Sequence, residues 1–376
     1  MSSDRRPAKL RVLIVGEGRS PIHEEAWQRG LEAAGCAVDR FDWLPRFQSR
    51  SRVRSLLLRG QNHFLVGPTI LWLNADLVTR VLATSPDVLI LYRPTHILSS
   101  AIKLIRQRAP RTLIVSYNND DPFSKKAAAY RWYHYLDSLA LVDAALAYRE
   151  KNLAELQAAG ARRVHLVRSY FIPYIDAPVE LTAKDHERYD ADVVFVGHYE
   201  PDDRLDALAT VAERFPRFRL FGPDWDRAPD HPALRRFSPI RPLPHGEYVK
   251  AIQCAKIALV FLSSLNNDSY TRRVFEIPAI GTFMLGQRTK DMEDLFRPGL
   301  EADYFSSTPE LMEKIEQYLR EDSERLRIAA AGFRRVRDAG HDVFSRMRKV
   351  AAFLQELRED RVPNGALHPS HERPGY

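Results

Sequence analysis

Read for hydrophobicity alone, the chain alternates short apolar runs with longer stretches in which apolar residues recur every three or four positions. The runs are strand-sized and fall at 11–15, 38–41, 87–92, 112–117, 144–148 and 165–167. Runs of this length, bounded by turn residues, mark parallel strands buried on both faces. Helical periodicity fills the intervals at about 23–34, 71–82, 98–108 and 151–159, with Gly35 and Gly160 as C-terminal stops. The pattern then restarts: ADVVFVG at 191–197 parallels RVLIVG at 11–16. Strands predicted at 217–221, 238–244, 257–262, 282–285 and 301–305 alternate with helices at 204–215, 247–254 and 309–319, and helical patterns at 322–338 and 341–357 close the chain. This alternation predicts an α/β architecture with two doubly wound halves. The breaks predict a first domain over 1–175 and a second over 176–360. Residues 171–178, with two prolines and no period, are the linker, and the polar residues 179–190 lead into the second domain. Residues 1–9 and 361–376 are expected to be disordered.

One stretch departs from ordinary amphipathicity. Residues 46–60 carry Arg46, Arg50, Arg52, Arg54 and Arg59 and no acid, with Val53, Leu56, Leu57 and Leu58 interleaved. Such a helix suits a membrane surface or an anionic acceptor. The plainer expectation is a solvated helix that packs its leucines on the sheet. A net charge of +7 over 376 residues also favours anionic partners, such as nucleotide diphosphates or lipid headgroups. No nucleic-acid-binding module is recognisable, and no such partner is expected. Cys36 and Cys254 lie far apart without metal-ligand spacing, which argues against a disulfide scaffold or zinc site and for a reducing compartment. The apolar run after Arg5-Arg6 is too short for a secretory leader, and other runs are far short of a membrane span. The expected location is therefore cytoplasmic, with or without contact to a membrane surface.

Candidate chemistry sits at strand ends. The first strand leads into GEGRSP, but Pro21 stands where a dinucleotide fingerprint needs its third glycine, so a nicotinamide site is not expected. Asp120 and Asp121 directly follow the strand at 112–117. Either could hold an acceptor hydroxyl or act as a base, and one is expected to cap the turn before Pro122. His96, after the strand at 87–92, is a third acceptor-side candidate. The densest cluster lies in 266–286, NNDSYTRRVFEIPAIGTFMLG, read as loop, short helix, turn and strand. Asp268 and Glu276 bracket Arg272 and Arg273 there. That layout suits a nucleotide sugar: helix amides and guanidinium groups for a diphosphate, one carboxylate for ribose hydroxyls, another for sugar hydroxyls.

On these residues the chain resembles the CgeB-like (spore-maturation protein type) glycosyltransferases, relatives of the GT4-type retaining enzymes of GT-B fold. The likeness rests on 270–285, on 194–197 with Arg204, on Phe221-Gly222-Pro223, on 309–319, and on 330–332 through His341 and Arg346. It covers nearly all of 190–350, and in the first half chiefly 119–122. It implies two Rossmann-like domains facing each other across a cleft, the first binding acceptor and the second the nucleotide sugar. C-terminal helices would pack back toward the first domain. It also implies a hexosyltransferase-type enzyme that moves a sugar from a UDP- or GDP-linked donor to an acceptor hydroxyl on a glycan, a lipid-linked or a small molecule. Retention, with no cofactor and no metal, belongs to the same implication. Related enzymes carry two acids separated by seven residues; here Asp268 replaces the usual Glu in the first place and Glu276 holds the second. By resemblance Glu276 binds ribose, Asp268 the transferred sugar, and Arg204 with Arg272 or Arg273 the diphosphate, next to Gly197 and His198. Backbone near Gly222 and Pro223 would face the base. A nucleotide-sugar epimerase of the same fold and a non-catalytic binding protein are the alternatives.

Overall fold

Buried parallel strands form where the apolar runs place them. The computed structural model describes residues 9–126 and 128–361; the expectations for 1–8 and for 362–376 lie outside the described residues. The first half runs β1 (Arg11–Gly16), α1 (Glu24–Ala33), β2 (Ala37–Asp42), α2 (Arg52–Phe64), α3 (Pro68–Thr84), β3 (Val88–Tyr92), α4 (Ser99–Arg108), β4 (Leu113–Asn118), α5 (Tyr133–Ser138), β5 (Ala144–Ala147), α6 (Lys151–Ala158) and β6 (Val164–Leu166). Its six strands lie in the order β2-β1-β3-β4-β5-β6, all parallel. The second half follows as α7 (Ala183–Tyr189), β7 (Ala191–Val196), α8 (Arg204–Arg214), β8 (Phe218–Phe221), α9 (His245–Gln253), β9 (Ala255–Val260), α10 (Arg273–Ile280), β10 (Phe283–Gln287), α11 (Lys290–Leu295), β11 (Asp303–Phe305), α12 (Thr308–Arg320), α13 (Asp322–Asp338) and α14 (Val343–Arg361). Its five strands lie in the order β11-β10-β9-β7-β8, again all parallel.

Helices cover both faces of each sheet, which is why the strands read as unbroken apolar runs rather than alternating ones. In β1, Val12 and Ile14 join one core cluster while Leu13 and Val15 join another on the opposite face. The first of these clusters continues into the second half, through Val194, Ala258 and Phe275, so one apolar body underlies both. The last helix, α14, packs on α1 of the first half. Gly30 permits that approach, because a Cβ there would lie 2.4 Å from Met347 Cγ. Backbone bonds hold the return: Phe171 N–H donates to His341 O at 3.1 Å and Val343 N–H donates to Phe171 O at 3.0 Å.

Three local expectations change. Residues 238–244 form no strand; a 3-10 turn over Pro232–Phe237 precedes an extended segment. Pro239, Pro242 and Pro244 remove the donors a ladder would need. The polar lead-in contains helix α7, started by a capping box in which Thr182 and Asp185 satisfy each other's backbone amides. The basic stretch splits into a 3-10 turn over Leu44–Phe47 and α2, whose N-cap is Ser51. Leu58 is the only residue of α2 that is fully buried, so its leucine face does not pack on the sheet.

Candidate functional site

In each sheet the strand order reverses once, between β1 and β3 and between β7 and β9. Ligands of doubly wound sheets bind beyond the carboxyl ends of strands at such reversals. Here the loops leaving both reversals meet across a cleft of about 1000 Å³. Eight basic side chains line it against four carboxylates, a surplus that suits a polyanion.

The loop after β9 forms the second-half wall and is tied down at several points. Glu200 accepts from the Ser264 and Leu265 amides at 3.1 and 3.4 Å. Asp268 N–H donates to Ser263 O at 2.9 Å. Asn267, in the left-handed region at φ 46°, donates from its side chain to Asp121 at 2.9 Å. Asp121 also accepts from Lys151 at 2.9 Å, Asn152 at 3.0 Å and the Phe123 amide at 3.1 Å. Burial pushes this carboxyl up, but Asn267 and Lys151 outweigh it and hold it below the usual range. Asp121 is fully buried and is not on the cleft lining. Of the two adjacent acids it is the structural one, a joint between the halves. Asp120 does line the cleft, paired with Arg93 at 2.6 Å.

Asp268 lies on the cleft in an ion pair with Arg149, whose Nε donates to it at 2.9 Å. Arg149 is buried, donates to Asn119 O at 3.1 Å, and lies over the Tyr148 ring with 4.7 Å to its centroid. Tyr148 in turn stacks on Tyr270. Burial raises the Asp268 carboxyl, against the pull of Arg149.

The two adjacent arginines separate in role. Arg272 donates to Asp176 at 2.5 Å and to Tyr170 O at 3.2 Å, and forms an ion pair with Glu276. Glu276 also accepts from Tyr248 OH at 3.0 Å. It is buried one layer behind Arg272 and does not line the cleft, so the expected direct contact with ribose is not open to it in this structure. Arg273 lines the cleft with a buried Nε that has no hydrogen-bond partner, and no carboxylate pairs with it among the described residues. It is the guanidinium of the pair that a diphosphate could reach.

Arg204 lines the cleft as well, but four of its five N–H groups are spent. Asp202 takes two, at 2.7 and 2.9 Å, and the carbonyls of His198 and Leu262 take one each at 2.9 Å. These bonds pin the loop after β7 to the end of β9, a task beyond the diphosphate contact expected of it. Gly197, Gly222 and Pro223 also lie off the lining. A Cβ on Gly222 would sit 1.8 Å from Gly197 O, so the two loops meet backbone to backbone. The Pro223 carbonyl is taken by Tyr199 N–H at 3.1 Å and the Gly197 carbonyl by Trp225 Nε1 at 2.9 Å. These residues shape the loop that presents His198 and Tyr199, with the Gly197 and Pro223 carbonyls engaged within it.

A second groove of about 790 Å³ opens in the first half and shares Arg93, Arg131 and Trp132 with the cleft. His96 lines it but is fully engaged, stacked on Trp43 and bonded to Asn62 and Thr95 at 2.8 Å each. Burial drops its pKa to about 3, so it is a neutral structural group. Arg93, Arg149 and Asp176 were not singled out from the sequence. Arg93 directly follows β3 and Arg149 lies just past β5, the same strand-end positions that drew attention to Asp120; Asp176 lay hidden in the linker.

With this geometry in hand, comparison with known proteins is informative. A glycosyl transferase-like family model matches residues 203–352. No curated protein matches the chain. Among solved structures it is similar to HepE of Anabaena in complex with UDP and glucose, with a TM-score of 0.64 and 12% identity over 92% of this chain and 100% of that one. It is similar to sucrose-phosphate synthase of Thermosynechococcus elongatus, with a TM-score of 0.66 and 12% identity over 94% and 100% of the two chains. A glycosyltransferase of Rickettsia africae gives 0.62 and 11% over 93% and 99%. The chain therefore has the GT-B fold.

Proposed function

We propose that the chain is a glycosyltransferase that moves a sugar from a UDP- or GDP-linked donor to an acceptor hydroxyl. The observation that carries this reading is the cationic cleft between the facing sheet edges, with Arg273 on its lining and paired with no carboxylate among the described residues. A leaving nucleoside diphosphate gains negative charge as the sugar departs, and fixed guanidinium groups stabilise that charge most where water is excluded. The matching family model and the likeness to a structure holding UDP and glucose support the same reading.

In this reading Arg273 meets the diphosphate. Asp268, held by Arg149, receives the hydroxyls of the transferred sugar. Glu276 serves the site through Arg272, which it fixes against Asp176. Asp120 and Arg93, on the opposite wall, face the acceptor. Transfer with retention, of CgeB-like type and without a resident metal or other cofactor, is part of the proposal; the cationic surplus supplies the charge balance that the leaving group needs. A cytoplasmic setting fits Cys36 and Cys254, both buried and unpaired.

Calorimetric titration with UDP, GDP and their sugars tests it. One nucleotide should bind, and Arg273→Gln should weaken it about tenfold to a hundredfold, the worth of a charge-assisted hydrogen bond. Absence of binding by every nucleoside diphosphate, or equal binding by the variant, would refute the donor site. A donor that emerges isomerised without any acceptor would identify an epimerase instead.

A further inference from the structure

Helices α2 and α3 carry an apolar surface that none of the described residues covers. Leu56, Leu57 and Phe64 on α2, Val66 in the turn, and Leu71 and Trp72 on α3 are each 60–67% exposed. On α2 these side chains share one helical stripe. Single exposed leucines need no explanation, but a continuous group of large ones marks an interaction site. The surface is also cationic. Arg50, Arg52, Arg54 and Arg59 are all exposed, and none has a carboxylate at ion-pair distance among the described residues. Asp76, the one acid of α3, pairs with Arg46 at 3.4 Å.

We propose that this face is the docking surface for an anionic lipid bilayer. Charge decides between occupants. A second copy related by a two-fold axis would set the arginine cluster against itself, with no acid on α2 to relieve it. A bilayer bearing anionic headgroups accepts both components at once: arginines at the phosphate level, and leucine, phenylalanine and tryptophan side chains just below it. The helices lie on the surface and do not cross it. Among the described residues no single helix is long and apolar enough to span a membrane; α2 and α3 have the length and composition only as a pair bent by 71°, and α3 is anchored by Leu73, Leu77 and Val81 in the core.

The position of the face has a chemical consequence, which alone rests on the transfer reading. Leu56, Arg59, His63 and Phe64 of α2 also line the groove of the first half, and that groove joins the central cleft at Arg93, Arg131 and Trp132. A docked molecule would take a membrane-anchored acceptor, headgroup first, toward Asp120.

Co-sedimentation of the full chain with vesicles tests docking independently of any transfer activity. The chain should bind phosphatidylcholine vesicles that contain phosphatidylglycerol, bind pure phosphatidylcholine far less, and release as salt rises. Exchanging Arg50, Arg52 and Arg54 for Ser should lower the partition coefficient about fivefold per residue, roughly a hundredfold together. Leu57→Ser with Trp72→Ser should weaken binding at least about tenfold. All five residues are exposed, so thermal unfolding should be unchanged. Equal binding of the native chain to both vesicle types would overturn the proposal. So would a dimer in sedimentation equilibrium that Leu57→Ser and Trp72→Ser dissolve, because the face would then belong to a second copy.

Discussion

Replacing Arg149 by Met isolates the buried ion pair at the heart of the cleft. The substitution keeps much of the aliphatic stem over Tyr148 but leaves Asp268 without its cation and Asn119 O without its donor. Breaking a buried pair by removing one partner costs about 3–5 kcal/mol, because the remaining charge is stranded. That cost has a ceiling, since the stranded carboxyl can take up a proton. From an unfolded value near 3.9, neutralisation costs about 1.4 kcal/mol per pH unit: roughly 4 kcal/mol at pH 7 and roughly 1.5 at pH 5. The orphaned Asn119 carbonyl adds about 1 kcal/mol at either pH. The variant should therefore be less stable than the native chain by about 5 kcal/mol at pH 7 but only about 2.5 at pH 5. The sign follows from linkage. Burial already holds the folded pKa of Asp268 above its ordinary value with Arg149 in place, and losing Arg149 raises it further, so stability is greatest at low pH and declines as pH rises through the folded pKa. Adding Asp268→Asn should recover about 4 kcal/mol at pH 7 but only about 1.5 kcal/mol at pH 5. Urea unfolding of the native chain and both variants at the two pH values measures this. Equal penalties at pH 7 and pH 5, or a double variant weaker than the single one, would refute the stranded-charge argument.

Other expectations follow from the same contacts. Gly222→Ala should cost at least about 4 kcal/mol in melting experiments, since its Cβ would fall 1.8 Å from a backbone oxygen at φ +151°. Gly246→Ala, in α9 with nothing within 4 Å, should instead be neutral or gain about 0.5–1 kcal/mol. Burial, aided by nearby arginines, lowers His23 to about 4 and His341 to about 3, and burial lowers His96 to about 3. Each binds its proton less readily folded than unfolded, so stability is full above pH 6.5 and falls toward pH 4, by up to about 1.4 kcal/mol per pH unit per histidine. A flat unfolding midpoint across that window would count against all three. Asp176→Asn removes the fully buried carboxylate that accepts from Arg272 and from the Ile172 amide at 2.7 Å and lies 3.1 Å from His245 Nε2 without a hydrogen bond to it. It should cost about 3 kcal/mol in urea unfolding and also weaken nucleotide binding.

How much of this the sequence could reveal depended on the range of the interactions. Strands buried on both faces announce themselves within five or six residues, so the tandem α/β plan was readable; the return of the last helices to the first half was implied only by the family resemblance. The proline-rich 238–244 misled because its apolar content outweighed its missing donors. Residue types at the site were readable too, but their engagement was not. Asp268 and Arg149 lie 119 positions apart, and Arg272 and Asp176 lie 96 apart. Only folding determines that Arg204 and Arg272 are spent on protein partners while Arg273 is not. The leucines of α2 failed for the converse reason: periodicity shows that a helix has an apolar face, not that the chain supplies something to cover it.

The chain passes between its halves twice, outward through 170–178 and back at 341–343, and Phe171 bonds the two passages side by side. A single tether would let the lobes swing, twist and slide. Two tethers fastened together favour a gape about the line through Phe171 over shear, which would have to break both of its backbone bonds; such a gape would part Asn267 from Asp121 and Arg149 from Asp268. Because Ser169 and Tyr170, next to Phe171 along the chain, line the cleft, a gape about that line would open and close the cleft from its floor.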